Sequence, residues 1–340
     1  MVSRVVKNPP APGTDEWRAM VTASKIPSMM TGPDGEYLGY GYTSARELYE
    51  EMTGGFVAPI DAATMDMYQD GHDVEPYGMN WWVRRHPEWC KPKVGGEVAY
   101  TNDDLPFPNV ATLDNRAYRG RGRHTEHCIV EVKRPMRAKV DLPAGWYLQV
   151  MAQMLISGIR TAYLVAIPRY GEPQEWQVEW DPEVGDAIAR CAAAFHQRVI
   201  NLDPPELGAS KYANEILAAE YPHGTGETLE ADPGLMGDLI AAWEEADRAN
   251  KAVTVLESRL KEQMKDAAKV TYDGISVVSR RAGRFAAKRV PEEHQHLLKE
   301  PEVQKTSLDT AKLKRLHPDV YAAACGPDTY TVERKKFLDT

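Results

Sequence analysis

The chain of 340 residues predicts an α/β protein of the α+β kind, a central mixed β-sheet flanked by helices, followed by a mainly helical C-terminal extension. Three observations predict it. The run C-I-V-E-V-K at 128–133 is short, apolar and rich in β-branched residues, which is how a buried strand reads. Around it, an extended run at 109–112, a helical pattern at 143–159 and strand patterns at 161–167 and 175–180 give the order strand, strand, helix, strand, with helices before and after. Beyond Pro204-Pro205 the composition shifts, and 235–268 becomes rich in Ala, Glu, Lys, Arg and Leu with apolar spacings of three and four.

Composition narrows the class of protein. At 43% hydrophobic and 27% charged residues the chain reads as soluble and globular. No stretch has the apolar length of a membrane span, and the start, M-V-S-R-V-V-K-N-P-P, lacks the apolar core of a secretion signal, so a cytoplasmic location is expected. Cys90, Cys128, Cys191 and Cys325 are scattered with no C-x-x-C pair. That argues against a zinc ribbon, an iron–sulfur cluster and a disulfide framework. A net charge of −9 is the wrong sign for indiscriminate coating of nucleic acid. Basic residues are nonetheless concentrated at Arg116, Arg119, Arg121, Arg123, Lys133, Arg134, Arg137 and Lys139, and again at Arg280, Arg281, Arg284, Lys288 and Arg289. Such runs are either solvated surface or a grip for an anionic substrate.

The elements follow in order. Residues 1–14 read as a flexible arm. The stretch 15–30 is helical in pattern but broken by V-T-A-S at 21–24, where Thr22 or Ser24 suits an N-cap for a short helix. Ser44 and Glu47 form a capping box opening a helix through Met52, and Gly54-Gly55 ends it. From Asp61 to about His86 the spacing of Met65, Tyr68, His72, Glu75 and Met79 predicts a long helix with Glu75 on or beside its inward face. Loop and short strand fill 87–110. A helix at 182–200 closes the first domain, expected to span 15–205. In the extension, 206–340, Asp273-Gly274 between alternating residues predicts a β-hairpin at about 270–280. A helix near 306–321 and a strand near 329–334 are also expected.

Residues two apart on a strand share a face, so Glu131 and Lys133 point one way while Val130 and Val132 point into the opposite layer. Burying an acid and an amine side by side is costly without a partner or a task. Asp114 ends the preceding extended run, where a neighbouring strand would bring its carboxylate beside Glu131. Two carboxylates and a lysine make an oxygen-rich cage for a hard divalent cation, and the basic run between them favours an anionic substrate. The bland alternative is an exposed strand end with a salt bridge.

With these pieces placed, the chain resembles the phage lambda-type, YqaJ-like exonucleases of the PD-(D/E)XK nuclease superfamily. The likeness covers roughly residues 17–168. It rests on Arg18 with V-T-A-S at 21–24, G-H-D-V-E-P at 71–76, A-T-L-D at 111–114, E-V-K at 131–133 and Q-V-M-A-Q at 149–153, in that order. One departure is Asn115, where the family usually has Gly; asparagine tolerates the left-handed conformation that Gly would supply.

The resemblance implies a PD-(D/E)XK restriction-endonuclease-like core and Mg2+-dependent hydrolysis of phosphodiester bonds from double-stranded DNA ends, 5′ to 3′, with Mn2+ as a substitute and no iron–sulfur cluster. It implies metal ligation by Glu75, Asp114, Glu131 and the Val132 carbonyl. Lys133 would orient water and stabilise the transition state, and Gln149 would hold the lysine or the water, the alternative for Gln149 being an exposed helix residue. Arg18, Thr22 and Ser24 would bind a 5′-phosphate, the alternative being ordinary capping by Ser24. The basic run itself, and not the resemblance, places Arg116, Arg119, Arg121, Arg123, Arg134 and Arg137 on the DNA backbone, since the loop 118–127 is longer and more basic than the family's. A homotrimer and a single-strand annealing recombination protein as partner are implied by the resemblance. Competing readings are a catalytically idle DNA-binding protein on this fold, a Cas4/RecB-like nuclease, which would normally bring a cysteine cluster, and a site-specific endonuclease.

Overall fold

The computed structural model describes residues 3–91, 97–223, 226–272, 275–280 and 315–316. The chain divides into two compact units, Met1–His223 and Gly224–Thr340. The first contains β1 (Ser3–Val6), α1 (Asp15–Ala19), β2 (Val21–Thr22), α2 (Ile26–Met29), α3 (Ala45–Thr53), α4 (Ala62–Arg85), β3 (Val98–Asn102), β4 (Asn109–Leu113), β5 (Asn115–Arg119), β6 (Glu126–Lys133), α5 (Ala144–Ser157), β7 (Thr161–Ala166), β8 (Gln174–Glu179), α6 (Pro182–Asn201) and α7 (Ala213–Glu220). Two four-stranded mixed sheets form, in the orders β1-β3-β4-β2 and β5-β6-β7-β8. In the first, β2 runs parallel to β4 and the other pairs are antiparallel. In the second, β6 and β7 are parallel while β5 and β8 are antiparallel edge strands. The chain passes from one sheet to the other at Asp114, the single residue between β4 and β5.

Helix α5 is the centre of the unit. Eleven of its fourteen residues are buried, so it is enclosed on nearly every side. It packs on β3, β4, β6 and β7 and against α2 and α6. Met151 and Met154 are fully covered, and each contributes roughly 2 kcal/mol of transfer free energy. The two faces of β6 separate as its alternation requires: Ile129 joins the core around α5, while Cys128, Val130 and Val132 join a second core with Met79 and Trp82 of α4. Helix α4 approaches this second face through Gly78, where a Cβ would come within 2.7 Å of a Val132 methyl. Glycine is what lets the helix lie this close.

Capping chemistry sets several boundaries. Ser44 and Glu47 form the expected capping box, and α3 ends on Gly54 at φ 76°. Asp61 caps α4 through the Thr64 amide. Other expectations need correction. The N-terminal arm is not free of structure: β1 pairs with β3, and Arg4 bonds Asp103 at 2.9 Å. Part of the basic loop after Asp114 is the strand β5, whose pairing with β6 over five residues outweighs its polar sequence. Asn115 lies within that strand and not in a left-handed turn; among the described residues other than glycine, positive φ occurs at Leu202 and Lys265. Neither Thr22 nor Ser24 caps α2, because Thr22 is in β2 and Lys25, the residue before the helix, already has helical dihedrals.

The inward face of α4 is also narrower than its spacing suggests. Met65 and Tyr68 are exposed, and burial begins at Gly78. The first unit runs past Pro204-Pro205 to include α7, because Arg46 of α3 donates to the Pro205 carbonyl and pairs with Glu220.

In the second unit α8 (Pro233–Met264) starts at the N-cap Asp232, and β9 (Lys269–Tyr272) pairs with β10 (Ile275–Ser279) as the expected hairpin. The helix expected near 306–321 (apart from 315–316), the strand near 329–334, and Arg281, Arg284, Lys288 and Arg289 lie outside the described residues.

Candidate active site at the end of strand β6

Pairing between β5 and β6 stops at Asn115 opposite Val130. Beyond that point the edge of β6 would carry an unpaired amide, and Asp114 fills the gap: its Oδ2 accepts the Val132 N–H at 3.1 Å. Lys133 accepts from Ile167 on the β7 side. Alternate residues of a strand direct their backbone groups to opposite neighbours, so the Val132 carbonyl faces the same gap as Asp114.

On the α5 side of β6 the polar side chains close into a network. Glu131 is 1% exposed. Its Oε1 accepts from Lys133 Nζ and from Gln149 Nε2, each at 2.7 Å, and its Oε2 accepts from Gln153 Nε2 at 2.8 Å. Lys133 also donates to Gln149 Oε1 at 2.9 Å. Gln149 is buried, not an exposed helix residue. Each Glu131 oxygen thus has a partner, which is what makes its burial tolerable. The sequence marks Gln153 only as the end of the Q-V-M-A-Q run and assigns it no separate role. The available signal was its spacing of four from Gln149, which puts both amides on one helix face.

The charges do not balance. Burial and the neighbouring Glu131 hold the Asp114 carboxyl well above the usual carboxylate range, with Glu75 adding to the effect and Lys133 opposing it. Burial alone would lower the Lys133 pKa, but Glu131 and Asp114 outweigh it and the net shift is upward. Lys133 is therefore an ammonium at neutral pH, a donor and not a base. Glu75 is raised by burial and, to a smaller extent, by Glu131, while His72, bonded to it at 3.0 Å, pulls the other way. Glu75 thus senses Glu131 but is tied to His72. Among the described residues no three His, Cys, Asp or Glu side chains converge as a ready metal centre. The three carboxyls nonetheless act on one another: Glu131 and Glu75 both raise Asp114, and Glu131 raises Glu75.

The residues expected to bind a 5′-phosphate have partners within the chain. Arg18 is in the last turn of α1 and bonds Asp15 at 2.9 Å. Thr22 and Ser24 share a hydrogen bond at 3.0 Å. Next in the chain after Ser24 is a group whose role the sequence does not show. Lys25 is 6% exposed, and its ammonium donates to the carbonyls of Arg18 at 2.6 Å, Met20 at 3.1 Å and Trp17 at 3.3 Å. It satisfies the end of α1 from inside. Burial lowers its pKa to about 8, with Glu51 offsetting part of the effect.

The arginines divide into two groups. Arg116 donates to the Tyr100 hydroxyl, Arg119 bonds Glu126 at 2.7 Å and lies over the Trp89 ring, and Arg134 bonds Asp70 at 3.1 Å. Arg121, Arg123 and Arg137 are exposed. No helix among the described residues is long and apolar enough to cross a membrane.

No family model matches the chain, and no curated protein matches it. Among solved structures, it is similar to an alkaline exonuclease (LHK-Exo) from Laribacter hongkongensis, with 18% identity over 56% of this chain and 96% of that one and a TM-score of 0.39. It is also similar to a phage-related exonuclease from Haemophilus somnus 129PT (13%, 54% and 96%, TM-score 0.37) and to SSO0001 (15%, 60% and 86%, TM-score 0.33). At such identities and scores, what the protein does has to be read from its own side chains.

Proposed function

We propose that the protein is a metal-dependent deoxyribonuclease that hydrolyses phosphodiester bonds from the ends of double-stranded DNA. The observation that carries this reading is the cluster of Asp114, Glu131, Lys133 and Gln149 at the open end of β6. The donors suit a hard divalent cation: they are oxygens, and burial together with the neighbouring Glu131 raises Asp114, a cost that a bound cation would relieve. Asp114, Glu131 and the Val132 carbonyl would hold Mg2+, or Mn2+ in its place, with Glu75 as an outer contributor. When bound, the cation supplies charge neutralisation at the phosphoryl oxygens and an acidified water.

The chain's own groups do the remainder. In hydrolysis, water adds to phosphorus and gives up a proton to solvent, while the bond to the departing ester oxygen breaks and that oxygen takes up a proton from solvent. Lys133, held as an ammonium between Glu131 and Gln149, orients that water and donates to the phosphoryl oxygen on which negative charge grows. Gln149 and Gln153 fix Glu131 so that its carboxylate does not rotate away. Thr22 pairs with Val110, four residues before Asp114, or roughly 13 Å along a strand. A 5′-phosphate held by Arg18 and the Thr22–Ser24 hydroxyls would then feed a strand towards the carboxylates, giving 5′-to-3′ digestion. Homotrimer formation and service to a single-strand annealing protein in phage-type recombination complete the reading.

The test compares linear with covalently closed duplex DNA in Mg2+, in Mn2+ and with chelator. Degradation of the linear form alone, lost with chelator, is the expected result. Cleavage of the closed circle would favour a site-specific endonuclease, and binding of both forms without any cleavage would favour an idle DNA-binding protein.

A further inference from the structure

Helix α4 carries Glu75 on a segment with few buried residues. From Ala62 to Tyr77 no residue is buried, and Met65, Met67 and Tyr68 are exposed. The buried residues of the helix are Gly78, Met79 and Trp82, all on the far side of Glu75. Pro76 adds a weak joint, since it has no N–H to return to the His72 carbonyl. Apolar packing of the first half of α4 is therefore thin, with Val74 partly buried against the second core.

Besides Val74, Asp70 ties that half to the protein. Asp70 Oδ2 accepts from Arg134 Nε at 3.1 Å and from Arg169 Nη2 at 2.9 Å. Arg134 directly follows Lys133, and its other contacts fix it to the protein, with Nη1 on the carbonyls of Ile167 at 3.1 Å and Pro168 at 3.3 Å. The Arg134 hydrogen bond holds the Asp70 carboxyl below its usual range, against a smaller opposing effect of burial. On a helical wheel Asp70 lies about 80° to one side of Gly78 and Glu75 about 60° to the other, at 100° per residue. With Gly78 set against Val132, a clamp at Asp70 fixes the roll of the helix and with it the direction of Glu75.

We propose that Asp70 is a positioning residue, and that its double ion pair with Arg134 and Arg169 locks the thinly packed first half of α4 so that Glu75 faces the carboxylate site. This assigns Arg134 to the scaffold and not to the DNA backbone. The proposal rests on the nuclease reading for its catalytic consequence, but its structural part stands alone.

The experiment therefore has two arms, run on the full chain with Asp70→Asn, Asp70→Glu and Arg169→Gln beside wild type. In hydrogen exchange without metal or DNA, Asp70→Asn is expected to speed the amides of residues 66–75 by about tenfold while those of 79–85 are unchanged. In degradation of linear duplex, kcat is expected to fall about tenfold with KM nearly constant. Asp70→Glu should recover most of both effects, and Arg169→Gln should show a smaller version of both. Unchanged exchange in Asp70→Asn would overturn the proposal whatever the activity. Faster exchange with a raised KM and an unchanged kcat would also overturn it, by making the clamp part of DNA binding. If wild type degrades no DNA, the nuclease reading fails, and the exchange arm still decides whether the clamp exists.

Discussion

Two lysines of this protein are buried to a similar degree and behave in opposite ways. The Lys133 side chain is 15% exposed and that of Lys25 is 5% exposed. Each ammonium is hydrogen-bonded, yet Lys133 is raised above the ordinary lysine value and Lys25 is lowered to about 8. The difference lies in the partners. Lys133 bonds the Glu131 carboxylate at 2.7 Å, whereas Lys25 is held by three neutral carbonyls and reaches Glu51 only at 4.0 Å. Carbonyl dipoles satisfy an ammonium without repaying the loss of water, while a carboxylate in contact does repay it. The first site holds its charge firmly and suits chemistry at neutral pH. The second holds it only loosely and reads as a fastening for α1.

The largest expected effect breaks the first lysine's pairing. Lys133→Met, close in volume, should lower the rate of DNA degradation by about a thousandfold, as loss of a well-placed transition-state donor does. Glu131→Gln should do the same and, by leaving Lys133 without its carboxylate, lower stability by roughly 3 kcal/mol. Rates on linear duplex and urea melts check both. Full activity in Lys133→Met would remove the ammonium from the mechanism. Calcium titration by calorimetry adds a separate readout: Asp114→Ala and Glu131→Ala should lose affinity, and Lys133→Met should keep it.

The second prediction sharpens the contrast through pH. Lys25 binds its proton less tightly folded than unfolded, so between about pH 8 and the ordinary lysine value near 10.5 the unfolded chain carries more protons. Stability should therefore rise across that window, and its Lys25 contribution should be lost as pH falls through 8. The full swing is on the order of 3 kcal/mol. Lys133 has the opposite sign: its contribution is present below the unfolded value and lost only at higher pH, as the raised folded pKa is passed. Denaturant melts at pH 7.5, 9 and 10 should show a rise in wild type that Lys25→Met lacks. Parallel profiles in the two proteins would mean that Lys25 is not buried as an ammonium.

Much of this was legible in the sequence, and the rest was not for reasons that can be named. The alternation at 128–133 assigned Glu131 and Lys133 to one face and Val130 and Val132 to the other, because a period of two leaves no choice once the run is a strand. Ser44 and Glu47 specified their helix start locally. Lys25 could not be found this way. Its place depends on the convergence of the Trp17, Arg18 and Met20 carbonyls, backbone groups that every sequence has. The strand β5 was hidden because N-R-A-Y-R has the composition of a loop, and pairing with β6 decides its conformation. Met65 and Tyr68 misled in the other direction: helical spacing shows which residues share a face, not whether anything covers it.

The third prediction concerns the strand end. Arg18 is paired with Asp15, whose side chain is almost fully exposed. Such a pair is worth little and opens readily to a phosphate. Wild type should degrade duplexes bearing a 5′-phosphate about tenfold faster than those with a 5′-hydroxyl, the scale of one charge-assisted contact. Arg18→Ala should erase that preference without altering calcium binding. A preference that survives would move the phosphate contact to Thr22, Ser24 or elsewhere, and a wild type indifferent to the 5′ group would end the idea.

The smallest effect comes from the basic residues, and here the structure divides what the sequence grouped. Arg119 is committed to Glu126 and to the Trp89 ring, so recruiting it to a phosphate means giving up those contacts. Arg121 and Arg123 flank and enter the short turn Gly122–His124 between β5 and β6 and are exposed. Each phosphate neutralised on duplex DNA adds about 0.9 to the slope of log affinity against log salt. Reversing Arg121 and Arg123 together should therefore flatten that slope by up to about 1.8, while Arg119→Ala should leave it nearly unchanged. Binding of a short duplex in calcium from low to moderate salt, followed by anisotropy, is the measurement. A slope that falls with Arg119→Ala and not with the double reversal would show that the ion pair to Glu126 opens on binding and that the turn faces away from the nucleic acid.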